Sequence, residues 1–169
     1  MGKAWKILIA VAVTSVAAAV VFGCKSVDDD RIPAYPVNIG FRTLSEWDNY
    51  GVNGALEWRE FIRQERKPSG FFYTEGTYTG FGGVLLVCDA LGNQLAYDLA
   101  CPVECRQDVR IKVSPDDNYL AECPGCHSRY DVFSLFGNSV SGPAAERGYG
   151  LRRYNVGPGR GGEYRVVTN

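Results

Sequence analysis

Two short segments decide how this chain is read: Cys101-Pro-Val-Glu-Cys105 and, further on, Cys123-Pro-Gly-Cys126-His127-Ser128-Arg129-Tyr130-Asp131, giving the pattern C-x3-C-x17-C-x2-C. Two close pairs of cysteines let each turn offer two sulfurs together with backbone amides that hydrogen-bond to them, as a tetrahedral thiolate site requires. The flanking sequence puts both pairs at hairpin ends. Gly83 to Asp89 reads as a strand, Ala90-Leu91-Gly92-Asn93 as a turn, and Gln94 to Leu99 as the returning strand that runs into Cys101. Asp108 to Val113 and Tyr119 to Glu122 flank the turn Ser114-Pro115-Asp116-Asp117-Asn118 and form a second hairpin leading to Cys123. A further cysteine, Cys88, sits in the apolar run Val84-Leu85-Leu86-Val87 and reads as a small buried thiol.

Towards the C-terminus, Leu151 to Val156 and Tyr164 to Val167 read as a closing hairpin around the glycine-rich stretch 157–162. That stretch lacks a following helix and a GK[ST] signature, so it is a flexible turn and not a phosphate loop. Towards the N-terminus, Val37-Asn38-Ile39-Gly40-Phe41 alternates like a strand. From Ser45 to Lys67, Ala55, Trp58 and Ile62 recur at helical spacing with charges on other faces, and the reading is one amphipathic helix. Trp47 and Trp58 are expected as core or cover. The sum is a mainly β domain of stacked antiparallel sheets, with one inserted helix and a small two-loop subdomain for metal binding.

The chain has 169 residues, enough for one ordinary domain, with 46% hydrophobic, 12% aromatic and 22% charged residues, so it is expected to fold. Eighteen basic and nineteen acidic side chains give a formal charge of −1, which excludes an electrostatically driven nucleic-acid partner. At the N-terminus, Lys3 and Lys6 precede an apolar run from Ile7 to Phe22 that ends in Val21-Phe22-Gly23-Cys24. The run is shorter than the roughly 20 residues of a spanning helix. It reads as a signal peptide over 1–23, and its end resembles a bacterial lipobox, which would make Cys24 the lipidated first residue of a cell-envelope protein. An uncleaved anchor is the alternative; either way the membrane is a partner. Cleavage would leave sixteen basic against nineteen acidic residues, a charge of −3. Residues 24–35, with Asp28-Asp29-Asp30 and two prolines, read as a solvated, extended tether, and the domain spans 36–169. The acidic run also resembles the surface-export signal of Bacteroidetes-type lipoproteins.

The boxes quoted above, with Gly142-Pro143-Ala144 and Leu151-Arg152-Arg153-Tyr154-Asn155-Val156, resemble a Rieske domain from about Val37 to the C-terminus. The resemblance implies a cluster-binding fold in which a C-x-H and a C-x2-H box hold a 2Fe-2S cluster on two loops. Here Val103 stands at the first histidine position and Cys126 at the second, and the chain contains one histidine in all, so a two-histidine Rieske centre is excluded by composition. Carried over by position, Cys101 and Cys123 match the cysteine ligands, Cys126 replaces a histidine, and Cys105 lies two residues past the vacant position. Ser128 and Tyr130 match hydroxyls that hydrogen-bond to the cluster, and His127 is expected beside the sulfurs or in solvent rather than as a ligand.

Three readings of Cys101, Cys105, Cys123 and Cys126 stay open. An all-cysteine 2Fe-2S cluster would make the protein a low-potential electron carrier for an unidentified redox partner, near the roughly −400 mV of all-cysteine ferredoxins. A single zinc ion would close the site and serve the fold, since Cys123-Pro-Gly-Cys126 also resembles the knuckle of zinc ribbons and rubredoxins. The leader has no twin arginine, which favours export of an unfolded chain before cluster loading. Disulfides are the third reading, in an oxidising compartment. No base or nucleophile is placed for substrate catalysis, so a carrier or binding role is expected over an enzyme. Both metal readings require all four sulfurs within a few ångströms of a common centre.

Overall fold

The computed structural model describes residues 26–159 and 163–169; the proposed leader and Cys24 lie outside the described residues. Eleven strands form two antiparallel sheets. The larger is ordered β2 (Trp58–Phe61), β4 (Val84–Cys88), β5 (Gln94–Asp98), β10 (Arg153–Pro158), β11 (Arg165–Thr168), β1 (Val37–Phe41), β3 (Tyr78–Thr79). The smaller is ordered β6 (Lys112–Ser114), β7 (Leu120–Glu122), β8 (Arg129–Asp131), β9 (Asn138–Ser141). The mainly β class expected from sequence is therefore observed, and so is the closing hairpin, with Asn155 opposite Thr168 and Pro158 opposite Arg165.

Strand β4 explains how the layers stack. Its five residues are all buried, and side chains alternate between the two faces of a strand. Leu85 and Val87 point into a core shared with Tyr97, Leu99, Ala121, Tyr130, Val132 and both Cys101 and Cys123, which packs the small sheet on the large one. Val84, Leu86 and Cys88 point the other way, into a second core with Val37, Ile39, Phe41, Trp47, Phe61 and Phe71 inside the curl of the large sheet. A strand covered on both faces has no polar alternation, hence the unbroken apolar run in the sequence. Cys88 is one of these core residues, and burial pushes its thiol above the usual range.

One expectation is corrected between residues 45 and 67. The helix, α1, covers only Leu44–Tyr50. Thr43 caps it by accepting from the Glu46 amide at 3.1 Å, while the Glu46 carboxylate accepts from the Arg42 amide at 2.7 Å. It stops at Gly51, beyond which the Asn53 and Gly54 amides both donate to the Glu57 carboxylate in a turn. Trp58 to Phe61 then runs extended against Val84 to Val87. Helical spacing of three apolar residues lost to an open edge of β4, whose backbone groups needed a partner. Trp47 is core, and half-buried Trp58 packs edge-on against Tyr119 with centroids 6.4 Å apart. A second short helix, α2 (Pro143–Arg147), was not anticipated.

The acidic run also departs from the expected solvated tether. Asp28 pairs with the main chain of Tyr149, its amide donating to Gly148 O and its carbonyl accepting from the Gly150 amide, both at 2.8 Å. Asp29 pairs with Arg153 at 2.8 Å and Asp30 with Arg152 at 2.9 Å. Ile32 is fully buried, and Arg152 Nε donates to its carbonyl at 2.7 Å. Residues 28–32 are thus a strap laid on the domain.

Asp98, at the end of β5, is fully buried and accepts from the Phe81, Gly82 and Ala100 amides at 2.9, 3.0 and 2.7 Å and from the Tyr154 hydroxyl at 2.7 Å. Burial raises its pKa although all four donors pull the other way. Gly82 is required there because a Cβ would lie 2.6 Å from the Ala100 nitrogen. Replacing Asp98 by alanine strands several buried donors, each costing about 1–3 kcal/mol. Asp98→Ala is expected to lower the urea midpoint by far more than Tyr154→Phe, whose loss is about 1 kcal/mol; equal midpoints would refute this account.

Candidate metal centre

The two cysteine turns leave the ends of β5 and β7 and meet under the short helix α2. In the first, Ala100 bridges to Arg110, and the Cys105 amide donates to Cys101 O at 2.8 Å. In the second, the Cys123 amide donates to Ser128 O and the His127 amide to Cys123 O, both at 3.0 Å. Each turn closes with a left-handed residue four positions after its first cysteine: Cys105 at φ +50° and His127 at φ +56°. The Val103 and Glu104 amides hydrogen-bond to the Cys101 sulfur, and the Gly125 and Cys126 amides to the Cys123 sulfur. The two turns are therefore the same structure built twice, with amides two and three positions on aimed at the leading sulfur.

This equivalence shows which cysteines converge. The ligand atoms of Cys101, Cys123 and Cys126 all lie within 4.8 Å of one another, with Cys101 Sγ 3.5 Å from Cys126 Sγ. Cys105 does not join them. Its partner position in the second turn is His127, not Cys126, and at this left-handed corner the side chain leaves the turn outwards. Its sulfur meets the Arg31 carbonyl of the strap at 3.4 Å, and the His127 ring pairs with Glu122 at 2.9 Å in a mostly exposed position. The position equivalent to Cys126 is Glu104, whose side chain lies over Gly125, with Oε1 3.1 Å from where a Cβ would stand. The expectation of four gathered sulfurs is corrected to three, so both metal readings fail in their four-thiolate form and a site here needs a fourth ligand other than Cys105; the signal is in the sequence, since C-x3-C and C-x2-C do not superimpose.

The hydroxyls expected beside the sulfurs are there. Tyr130 Oη lies 3.3 Å from Cys101 Sγ, and Ser128 Oγ lies 3.2 Å from Cys126 Sγ. Ser128 is fully buried and held by the Ala144 amide of α2, which donates to Oγ at 3.0 Å. As a thiol Cys126 donates to Ser128 Oγ, and on ionising it would instead accept the Ser128 hydroxyl proton. Gly142 permits this contact: at φ +79°, its missing Cβ would fall 2.9 Å from Ser128 Cα. The Gly142-Pro143-Ala144 segment, singled out by sequence, thus backs the second turn.

Burial pushes the Cys101 thiol up, despite help from Tyr130 and the turn amides, and pushes Cys123 up to about 12. Cys126 is also penalised by burial, yet the Ser128 hydroxyl and amide and the neighbouring sulfurs hold it below the usual thiol range. Cys126 is the thiol of the three that ionises most readily, and a cation is what would let the other two ionise. The donors fit such an ion: tetrahedral coordination at about 2.3 Å from zinc to sulfur separates the ligands by about 3.8 Å. No protein-family model, curated protein or solved structure matches the chain. The chain has a mainly β fold with a three-cysteine group able to bind a metal ion.

With metal removed, iodoacetamide at neutral pH is expected to modify Cys126 before Cys101 or Cys123, because a lowered pKa means a larger thiolate fraction at a given pH. Ser128→Ala raises that pKa and should slow the Cys126 reaction severalfold, read by peptide mass spectrometry. Unchanged rates would show that the hydroxyl does not tune the sulfur.

Proposed function

We propose that this chain is an envelope protein tethered to a membrane, with a Rieske-like scaffold whose two turns hold one thiolate-bound metal ion of the zinc type. The ion serves the fold and the presentation of a binding surface, and no substrate is turned over. The observation that carries this reading is that the three sulfurs are mutual neighbours. A two-iron cluster divides its terminal ligands into two pairs on two irons, whereas one tetrahedral ion requires every ligand to be adjacent to every other. Cys101, Cys123 and Cys126 would hold the ion, and the fourth position would be filled by water or by a carboxylate reaching over from Glu104. The ion supplies a cross-link between the end of β5 and the β7–β8 turn. The chain itself contributes amides that orient two sulfurs, a core that shields them, and the Ser128 hydroxyl that prepares the third.

A second reading, electron transfer through a 2Fe-2S-type centre, is favoured by the Tyr130 and Ser128 hydroxyls, since hydrogen bonds to sulfur tune the potential of such centres. Elemental analysis of the full chain, purified without air, separates the two. One zinc per chain and no colour is the expected result, with Cys101→Ser, Cys123→Ser and Cys126→Ser each losing the metal and Cys105→Ser keeping it. Chelation should lower the thermal midpoint of the parent and leave the Cys123→Ser variant unmoved. Two irons with matching sulfide would establish the carrier instead, and a metal-free chain would overturn both.

A further inference from the structure

Three of the ten exposed large hydrophobic residues among the described residues, Val27, Leu135 and Phe136, lie where the strap enters the fold. Val27 Cγ1 stands 2.6 Å from where a Cβ on Gly150 would be, with Gly137 O and Asn138 Oδ1 next to the same point. Asn138 bridges to Gly150, so Val27 abuts the start of β9, directly after the Leu135-Phe136 tip. That tip is built to face outwards. Asp131 Oδ1 accepts from the Phe133 and Ser134 amides at 3.0 and 2.8 Å and turns Phe133 inward. Phe136 at φ +54° and Gly137 at φ +78° then reverse the chain and leave both tip side chains in solvent. A bulky residue in the left-handed region is costly, and it is spent here on exposing a phenyl ring.

The strap says what this corner meets. The apolar run ends at Phe22, and Cys24 is three residues from Val27, a span of at most about 11 Å. From Asp28 onward the chain is pinned by main-chain bonds to Gly148 and Gly150 and by ion pairs to Arg152 and Arg153. A membrane holding the N-terminus therefore lies within that short reach of Val27. Those ion pairs also neutralise Asp29 and Asp30, which would otherwise repel an anionic bilayer.

We infer that the Leu135-Phe136 tip, with Val27, docks into the lipid surface and holds the domain against the membrane. The inference rests on the N-terminal anchor reading and adds a second contact to it. The N-terminal anchor holds the chain at one point, and a tip that buries apolar side chains adds a second contact that fixes the domain's orientation. The bilayer contact also sets the orientation of the metal turns, because Cys105 meets the same strap at Arg31.

The test uses the full chain reconstituted in vesicles of phosphatidylethanolamine and phosphatidylglycerol, some with brominated acyl chains. Phe136→Trp is compared with Leu91→Trp, which is highly exposed at the far end of the β4–β5 hairpin, and the parent signal is subtracted from both. The expected result is severalfold stronger bromine quenching and a blue shift for Phe136→Trp alone. Protein that floats with the vesicles but shows equal, weak quenching at both positions would overturn the docking and leave the anchor standing. Protein that fails to float would overturn the anchor and the docking with it.

Discussion

The buried carboxylate of Asp98 holds together the parts that everything else depends on. It sits where β5 ends and the first cysteine turn begins, and its four donors come from the chain before β4, from the turn itself and from β10. An ionisable group with no exposure is tolerable only when each lone pair is used. Here the donors themselves would be orphaned without it. The direction in which Ala100 and Cys101 leave the large sheet is therefore fixed by electrostatics within a dry interior, and the position of the Cys101 sulfur follows.

From that fixed point the second turn is placed by packing. Tyr130 lies beside Cys101 through its hydroxyl and beside Ala121 across the β7–β8 pairing, so one side chain spans the core between the sheets and the sulfur group. Tyr97 makes the complementary link, its hydroxyl donating to Val132 O at 3.0 Å from the large sheet into the small one. Two tyrosines crossing in opposite directions leave the small sheet little freedom to slide. The sulfurs are brought to contact distance by the stacking of the sheets, and a metal ion would reinforce an arrangement the core already favours.

The strands were legible where a physical pattern was strong. β4 and β5 could be read from a long apolar run with a Gly-Asn turn, and β10 and β11 from apolar pairs around a glycine stretch. The helix over 45–67 failed because its evidence was a coincidence of spacing among Ala55, Trp58 and Ile62. The residues that bound the real helix are the cap at Thr43 and the stop at Gly51. The strap was illegible for a different reason. Three aspartates beside two prolines look solvated unless Arg152 and Arg153, more than 120 positions away, are known to face them. No local rule carries such information.

The cysteine site divides the same way. Cys101, Cys123 and Cys126 were found by spacing, and Ser128 and Tyr130 by position in the second box. Cys105 was misplaced because proximity in sequence was counted without the handedness of the turn. Each turn closes on a left-handed residue four places after its first cysteine, and at both places the side chain lies away from the three sulfurs, Cys105 on the Arg31 carbonyl and His127 on Glu122. The ligand count then follows from the backbone rather than from the number of cysteines. A fourth thiolate could be created by moving the residue, with a cysteine in place of Glu104, and not by rotating Cys105 inwards. The first turn therefore presents one sulfur where the second presents two, and the asymmetry leaves the side of the site nearest Glu104 and Gly125 without a thiolate. For an ion that takes four ligands, that side is where water or an oxygen ligand must enter.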